Sequence, residues 1–393
     1  MIHAGRHPRK FLGAFTTLIF LNLLFGLQHF SIAYVNSSFL AQFFSPESVS
    51  IIYVVTSLAN IGSLLMLPFL IRQFGVWPLV IIFIPVLQVM TLLFGFSNTA
   101  IAAIIFFIIR SVSANNFRYL LDLYVEAFTK DESKTGNMRG LFITGGSIGV
   151  LFGPIAASVL VFGTNYHILY AFSALLLTPV FVIALLVLHK HKPKIPKSGL
   201  FIESFKSLFT CRRSVRHTML VNLVFQTWGL WIVIYAPLYL IQAGFEWQFI
   251  GSLIALALIP YVLLEIPLGI IADKITGEKE IMVTGLFILS FCTLLLSLIP
   301  LTHIMLWSLA FIATRVGGAM LEISTESYFF KQVDETDSAL ISMFRILGPL
   351  GGVLAPLIAL AILPIAGLQY MFGFFAALIL IGVPAALRIH DTR

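Results

Sequence analysis

The sequence predicts an all-α polytopic membrane protein with twelve transmembrane helices in two pseudo-symmetric six-helix bundles. Three observations support this fold class. Apolar residues make up 59% of the 393 positions and charged residues only 10%, which is far from the composition of soluble domains. Apolar runs long enough to cross a bilayer, at about 20 residues each, occur along the whole chain. Polar and charged residues of the first half also recur in the second half, at an offset of about 200 residues.

The apolar runs fall into two groups of six. The first group covers residues 11–35, 48–71, 76–96, 100–127, 138–162 and 167–188. The second group covers residues 217–242, 248–272, 281–300, 303–329, 338–364 and 367–387. We therefore expect an N-terminal bundle over 1–189, a basic cytosolic linker over 190–216 and a C-terminal bundle over 217–393. Apolar residues between Phe201 and Phe209 fit either a short amphipathic helix on the inner leaflet or a plain solvated tether.

The basic residues indicate the orientation of the chain. Lys and Arg occur at both termini, in the linker and in every second loop, whereas the alternate loops near 36–47, 97–99, 163–166, 243–247 and 301–303 contain none. By the positive-inside rule both termini are cytosolic. We expect a multi-pass protein of a plasma membrane, specifically a bacterial inner membrane.

Composition also excludes several function classes. The net charge of +7 is spread over short loops between apolar runs, so nucleic acid is not an expected partner. The two cysteines, Cys211 and Cys292, are far apart and indicate neither a disulfide framework nor a metal site. No phosphate-binding loop of the Walker type occurs, and we expect no cofactor.

One stretch ends an apolar helix at Gly269 and Asp273 and continues through a basic turn, with Gly277, into the next apolar run. It resembles the G-x-x-x-D-(R/K)-x-x-G-(R/K)-(R/K) signature of the major facilitator superfamily, although the interval from Asp273 to Gly277 is one residue longer. The first copy of this loop departs further, because Arg72 stands where the family has aspartate. The run from Gly149 to Pro154 is similar to a pattern of the family's antiporters. The residues around Glu265 resemble a bacterial, drug-exporter-like branch of the family.

The resemblance implies a secondary transporter that moves a small molecule by alternating access through a central cavity. It would be an ion-coupled exporter or a carrier of an anionic or amphipathic solute. The expected partners are a small-molecule substrate, a coupling proton or ion and the lipid bilayer, and the protein is expected to be monomeric. A polytopic membrane enzyme and a non-transporting receptor or scaffold are the alternatives, but the short loops carry no catalytic cluster and the paired intramembrane charges favour transport.

Polar residues inside the spans are the candidates for the site, since a charge at the centre of a membrane helix costs about 2.5–3.5 kcal/mol on insertion scales. The family places its first, fourth, seventh and tenth helices around the cavity. The substrate-binding candidates on these helices are Asn22, Gln28, His29, Arg110, Asn222, Gln226, Trp231, Tyr235 and Arg315. The two arginines fit either an anion-attracting site or structural pairing with distant acids, and His29 fits either a titrating group or an interhelical donor.

A second set of charged residues lies nearer the cytosolic ends of the spans. These are the candidates for coupling or gating: Asp122, Glu126, Arg139, Glu265, Asp273, Glu322, Glu326 and Arg345. Arg315 and the two glutamates at 322 and 326 share a narrow stripe of one predicted helix.

Overall fold

The computed structural model describes residues 8–128, 135–190, 211–333 and 338–390, and these are almost entirely helical. The helices of the first half are α1 (Pro8–Ala33), α2 (Val35–Leu40), α3 (Pro46–Phe74), α4 (Val76–Gly95), α5 (Ala100–Phe128), α6 (Thr135–Leu160) and α7 (His167–Val187). Those of the second half are α8 (Arg213–Gln242), α9 (Trp247–Lys274), α10 (Glu278–Leu298), α11 (Ile304–Gln332), α12 (Ser338–Leu380) and α13 (Gly382–Leu387). Short 3₁₀ turns cover Leu188–Lys190 and Leu301–His303.

The lengths and apolar character of these helices confirm the predicted fold class. Within the described residues, ten helices are long and apolar enough to cross a membrane. One of them, Met343–Leu387, is 45 residues long and is interrupted at Gly367, whose backbone is not helical (φ 67°, ψ 177°). A further apolar helix, Gly145–Leu160, is shorter. If the helix that is interrupted at Gly367 counts as two spans, and Gly145–Leu160 is added, the ten helices are compatible with twelve spans.

The predicted helix ends agree with the observed ones to within a few residues, with one local exception. The stretch 36–47 is expected to be a loop, but its first residues belong to the short helix α2 (Val35–Leu40). Apolar residues of α2 such as Phe39 and Leu40 are buried, so packing, rather than span length, stabilises this turn of helix. The predicted linker helix near 201–209 lies outside the described residues.

Two glycines precede helices that hold corresponding positions in the two halves of the chain. Gly75 precedes α4 with φ 85° and ψ 168°, and Gly277 precedes α10 with φ 94° and ψ 165°. A positive φ strains residues that carry a Cβ, so glycine is required at both turns. The two loops that resemble the family signature therefore share one backbone conformation, although only the second carries the aspartate.

The chain packs as two compact units that are interleaved in sequence. Unit 1 consists of Met1–Val35 and Gly62–Lys197, and unit 2 consists of Asn36–Ile61 and Ser198–Arg393. The first part of α3 thus packs with unit 2, although it belongs to the first six predicted spans. The bundle boundaries expected from the sequence stay a prediction.

In unit 1, α1 and α6 approach closely along a row of glycines. A Cβ at Gly149 would lie 2.5 Å from the Leu23 carbonyl oxygen and 2.5 Å from the Leu27 amide nitrogen. A Cβ at Gly153 would lie 2.6 Å from the Phe30 carbonyl carbon. Small residues spaced four apart allow backbone-to-backbone contact, which is a main source of helix association in membranes.

In unit 2, hydroxyl groups attach the first part of α3 to other helices. The Ser50 and Tyr235 hydroxyls are 2.6 Å apart, and Ser57 Oγ donates to the Gly352 carbonyl at 2.8 Å. All four residues are buried. Hydrogen bonds of this kind connect helices where apolar surface alone gives little preference for one partner.

A buried ion pair links α10 to α11 at one end of unit 2. The Glu278 side chain is fully buried, and its Oε1 accepts from Lys331 Nζ at 2.5 Å and from Ser327 Oγ at 3.2 Å. The Lys331 side chain is 40% exposed. Glu278 is the first residue of α10, where the helix dipole also favours a negative charge.

We predict that Gly149→Ala and Gly153→Ala each lower the melting temperature of the purified protein. The added methyl group would meet backbone atoms that cannot rotate away, and overpacking of this kind costs about 1–3 kcal/mol. The matched control is Gly62→Ala on α3, where a Cβ would meet nothing within 4 Å. Equal melting of the three variants would contradict the close contact between α1 and α6.

We also predict that Lys331→Met destabilises the protein more than the double variant Glu278→Gln/Lys331→Met does. Removing only the lysine leaves a buried carboxylate without its cation, whereas the double variant removes the charge as well. Thermal melting of Lys331→Met, Glu278→Gln and the double variant gives the coupling free energy between the two side chains. Strictly additive losses would show that the ion pair contributes nothing to stability.

Candidate functional site

A buried arginine of unit 1 lies among aromatic rings. Arg110, on α5, is only 3% exposed. Its guanidinium carbon is 5.6 Å from the ring centroid of Phe107 and 5.9 Å from that of Phe94. Phe107 precedes the arginine by one turn of α5, and Phe94 comes from α4. The Phe94 ring in turn contacts Tyr170 edge to face, at 5.2 Å between centroids.

Unit 2 contains a similar arrangement around Arg315 on α11. This arginine is also 3% exposed, and its guanidinium carbon is 5.0 Å from the Phe311 centroid and 5.1 Å from the Trp228 centroid. Phe311 precedes it by one turn, and Trp228 comes from α8, where its indole N–H donates to Thr293 at 3.1 Å. Cation–π contacts of this type contribute about 2 kcal/mol when the cation is desolvated.

Stacking on ring faces leaves the N–H groups of a guanidinium unsatisfied, because they point outward in its plane. Nε and Nη2 of Arg315 are buried and have no hydrogen-bond partner within the described part of the chain. No carboxylate of a described residue forms an ion pair with Arg315 either. Buried donors in folded proteins are normally hydrogen-bonded, so these groups require an acceptor such as water or a ligand.

Among the described acids, Glu322 and Glu326 on α11 do not lie beside Arg315. Glu322 and Glu326 are exposed, whereas Arg315 is buried, so the stripe on α11 places these residues in different surroundings. Asp122 is partly buried on α5, and Arg345 is exposed near the start of α12. Four further candidates have side chains outside the described part of the structure: Glu126, Arg139, Glu265 and Asp273.

The polar candidates on α1 mainly connect helices of unit 1. Asn22 Nδ2 donates to the Phe142 carbonyl on α6 at 2.8 Å. Gln28 is buried, its Nε2 donates to Ser173 Oγ on α7 at 3.1 Å, and Ser173 Oγ donates back to the Gln28 carbonyl at 3.0 Å. The ring of His29 packs against Phe25 and Phe30, and its buried Nδ1 has no hydrogen-bond partner among the described residues.

The candidates on α8 have more varied surroundings in unit 2. Asn222 donates to Thr325 Oγ1 at 2.9 Å, whereas Tyr235 pairs with Ser50 as described above. Trp231 is buried and stacks on Phe375 at 4.3 Å between centroids, and its Nε1 has no partner among the described residues. Gln226 is partly buried, with its Oε1 3.8 Å from the position of a Cβ on Gly348.

The phenylalanine partners of the arginines are not among the candidate residues predicted from the sequence. Phe107 lies three residues before Arg110, and Phe311 lies four residues before Arg315. Either spacing places the ring and the cation on the same helical face, so this signal was available. The ring of Phe94 comes from another helix, and no local spacing in the sequence indicates that contact.

Comparisons with known proteins agree with the helical architecture. The model of the Major Facilitator Superfamily matches residues 18–321 and 248–393. A search of curated proteins found no match. The solved structures that are similar include a mutant of the nucleoside transporter NupG, with a TM-score of 0.76, 15% identity and coverage of 96% of this chain and 100% of that chain. The POT family transporter PepTSo gives a TM-score of 0.75 at 12% identity, with 98% and 97% coverage.

At these identities the two structures show the fold alone, whereas the family match extends over nearly all of the chain. The helical repeat, the apolar spans and the turns at Gly75 and Gly277 agree with that match. The chain belongs to the major facilitator superfamily and is a membrane secondary transporter, not an enzyme.

Proposed function

We propose that this transporter carries a small anionic or amphipathic organic solute, that Arg315 binds the anionic group of this solute in unit 2, and that Arg110 has the same role in unit 1. The observation that carries this proposal is the buried guanidinium of Arg315, whose Nε and Nη2 have no acceptor among the described residues. A charge removed from water without a partner is strongly unfavourable. An anionic ligand that enters the unit would satisfy both the charge and the donors.

The surroundings of Arg315 favour a solute with an apolar body. Its guanidinium packs between Trp228 and Phe311, and Phe311 stacks on Trp307 at 5.4 Å between centroids. Ligand sites in proteins are typically lined by apolar and aromatic side chains, with a few polar groups that orient the ligand. Elsewhere in unit 2, Trp231 has a buried indole N–H with no partner among the described residues, and we propose it as a second donor.

Arginine suits the binding of an anionic group beside aromatic rings better than lysine does. Its planar fork binds two oxygens of a carboxylate or phosphate at once, and its flat face stacks on aromatic rings. The same combination occurs in each unit, with Phe107 beside Arg110 and Phe311 beside Arg315. The repeat therefore presents a cation beside an aromatic ring in each unit, and we infer that both pairs serve anion binding.

Several finer features remain our proposals. They are membership of a bacterial, drug-exporter-like branch, coupling to a proton or ion, a monomeric state, and residence in a bacterial inner membrane. The gating roles of the charged residues near the cytosolic ends of the spans belong with them.

We predict that Arg315→Lys and Arg110→Lys each abolish ligand-induced thermal stabilisation but leave expression and melting nearly unchanged. Lysine keeps the positive charge but loses the bidentate fork. The measurement is the melting temperature of each purified variant with a panel of anionic, cationic and neutral metabolites. Uptake or efflux of the responding compound in proteoliposomes then tests transport, with Arg72→Lys on α3 as the matched control.

The alternative is that both arginines only stabilise the protein. In that case Arg110→Ala and Arg315→Ala lower the melting temperature strongly, and the lysine variants still respond to the ligand. That result would defeat the anion-site proposal without affecting the transporter assignment. If only cationic compounds stabilise the unaltered protein, the proposed solute class is wrong.

We predict that both termini face the cytosol, because every loop on the opposite side lacks Lys and Arg. In a variant with Cys211→Ser and Cys292→Ser, single cysteines replace exposed residues. Those at Asn98 and Thr164 should react with an impermeant maleimide added to intact cells, and those at Gln73 and Thr276 should react only after lysis. The reverse pattern of labelling would invert the orientation.

A further inference from the structure

Unit 2 contains a strongly basic cavity at one end of its helices. Two adjoining cavities, of about 310 Å³ and about 370 Å³, share Arg213, His217 and Arg388. The first is completed by Arg216, and the second includes Lys279. The arginines come from the start of α8 and from the residue that follows α13, and the lysine comes from the first turn of α10. Three elements that are distant in sequence thus bring four permanent cations together.

The cavity is part of the folded framework. Tyr328 on α11 donates to the His390 carbonyl at 2.7 Å, and the His390 amide donates to Ser214 Oγ on α8 at 3.2 Å. These bonds hold the segment after α13, which carries Arg388, against the start of α8. The basic side chains therefore face one another as a result of tertiary packing.

The electrostatics of the cavity favour an anion. Asp and Glu are absent from the described residues that line the two cavities. On α10, the Glu278 carboxylate is paired with Lys331, and the Glu280 side chain is exposed. The first turns of α8 and α10 also contribute, since the positive ends of helix dipoles attract anions.

The position of the cavity suggests which anions can reach it. It lies where two apolar spans begin, Arg213–Gln242 and Glu278–Leu298, and where a third, Met343–Leu387, ends. Lipid headgroups occupy this level of a bilayer, and basic pockets between helices on the cytosolic side bind anionic headgroups. Soluble phosphate compounds of the cytosol have access to the same level. The volume matches that of ligand pockets, which begin near about 300 Å³.

We propose that this cavity is a binding site for a phosphate-type anion, separate from the site around Arg315. The ligand is either the headgroup of an anionic phospholipid or a soluble phosphate compound, and both present the same chemistry to the arginines. Bound there, the anion would bridge α8, α10 and the segment after α13, and would stabilise this end of unit 2.

The test uses the full-length protein in nanodiscs of phosphatidylcholine, with or without phosphatidylglycerol, and with inorganic pyrophosphate as the soluble probe. The double variant Arg213→Gln/Arg388→Gln removes two cations from the cavity. The matched double variant Arg72→Gln/Arg212→Gln removes two arginines that do not line it, one of which contacts Gln332. Melting temperature is measured against the concentration of each probe and at two salt concentrations.

We expect the unaltered protein and the matched variant to be stabilised by one probe, and the cavity variant to bind it at least about tenfold more weakly. Each cation near an anionic surface contributes about 1 kcal/mol, and about 1.4 kcal/mol corresponds to tenfold. A response to phosphatidylglycerol alone identifies the lipid headgroup as the ligand. A response to pyrophosphate identifies a soluble anion.

The proposal is overturned if the two double variants respond alike, or if neither probe stabilises the unaltered protein. If the cavity variant fails to fold in phosphatidylcholine, the single variant Arg388→Gln replaces it, because that residue is exposed and follows the last helix. Stabilisation of the unaltered protein that is insensitive to salt would also contradict a site built from cations.

Discussion

The absence of water from the hydrocarbon core is the constraint on which this structure depends. Every backbone N–H and C=O in a span must bond within its own helix, so the described chain is nearly all helix. Apolar side chains gain little by leaving lipid for another helix, and association therefore requires close backbone contact or interhelical hydrogen bonds. The glycines of α6 that face α1 provide the first, and the Gln28–Ser173 and Asn222–Thr325 pairs provide the second.

The same constraint explains how two arginines are buried. Each guanidinium lies against aromatic rings, whose negative faces attract a cation. This arrangement recurs in both units although the rings differ, with Phe94 in one and Trp228 in the other. Other repeat-related residues differ in their contacts, since Asn22 bonds to a backbone carbonyl and Asn222 to a threonine. The two arginines therefore have similar surroundings, whereas the two asparagines do not.

Charged residues behave differently where the spans end. At this level water and headgroups can solvate them, and unit 2 gathers Arg213, Arg388 and Lys279 around one cavity. The one buried carboxylate described there, Glu278, has a lysine partner and a position at a helix start. We therefore propose different ligands for the two settings: a transported anion for the buried arginines and a resident anion for the cluster at the boundary.

Most of the fold could be predicted from the sequence, because span length, apolar composition and the repeat follow directly from the bilayer's thickness and chemistry. The turn at Gly277 and the resemblance to the family could also be predicted from local patterns. The packing of the first part of α3 with unit 2, the partners of Arg315 and the basic cavity could not. Phe94 reaches Arg110 from the preceding helix, and Trp228 and Arg388 reach their contacts from segments that are distant in the chain. Sequence spacing determines which face of a helix a residue occupies, but only tertiary packing determines which helix that face meets.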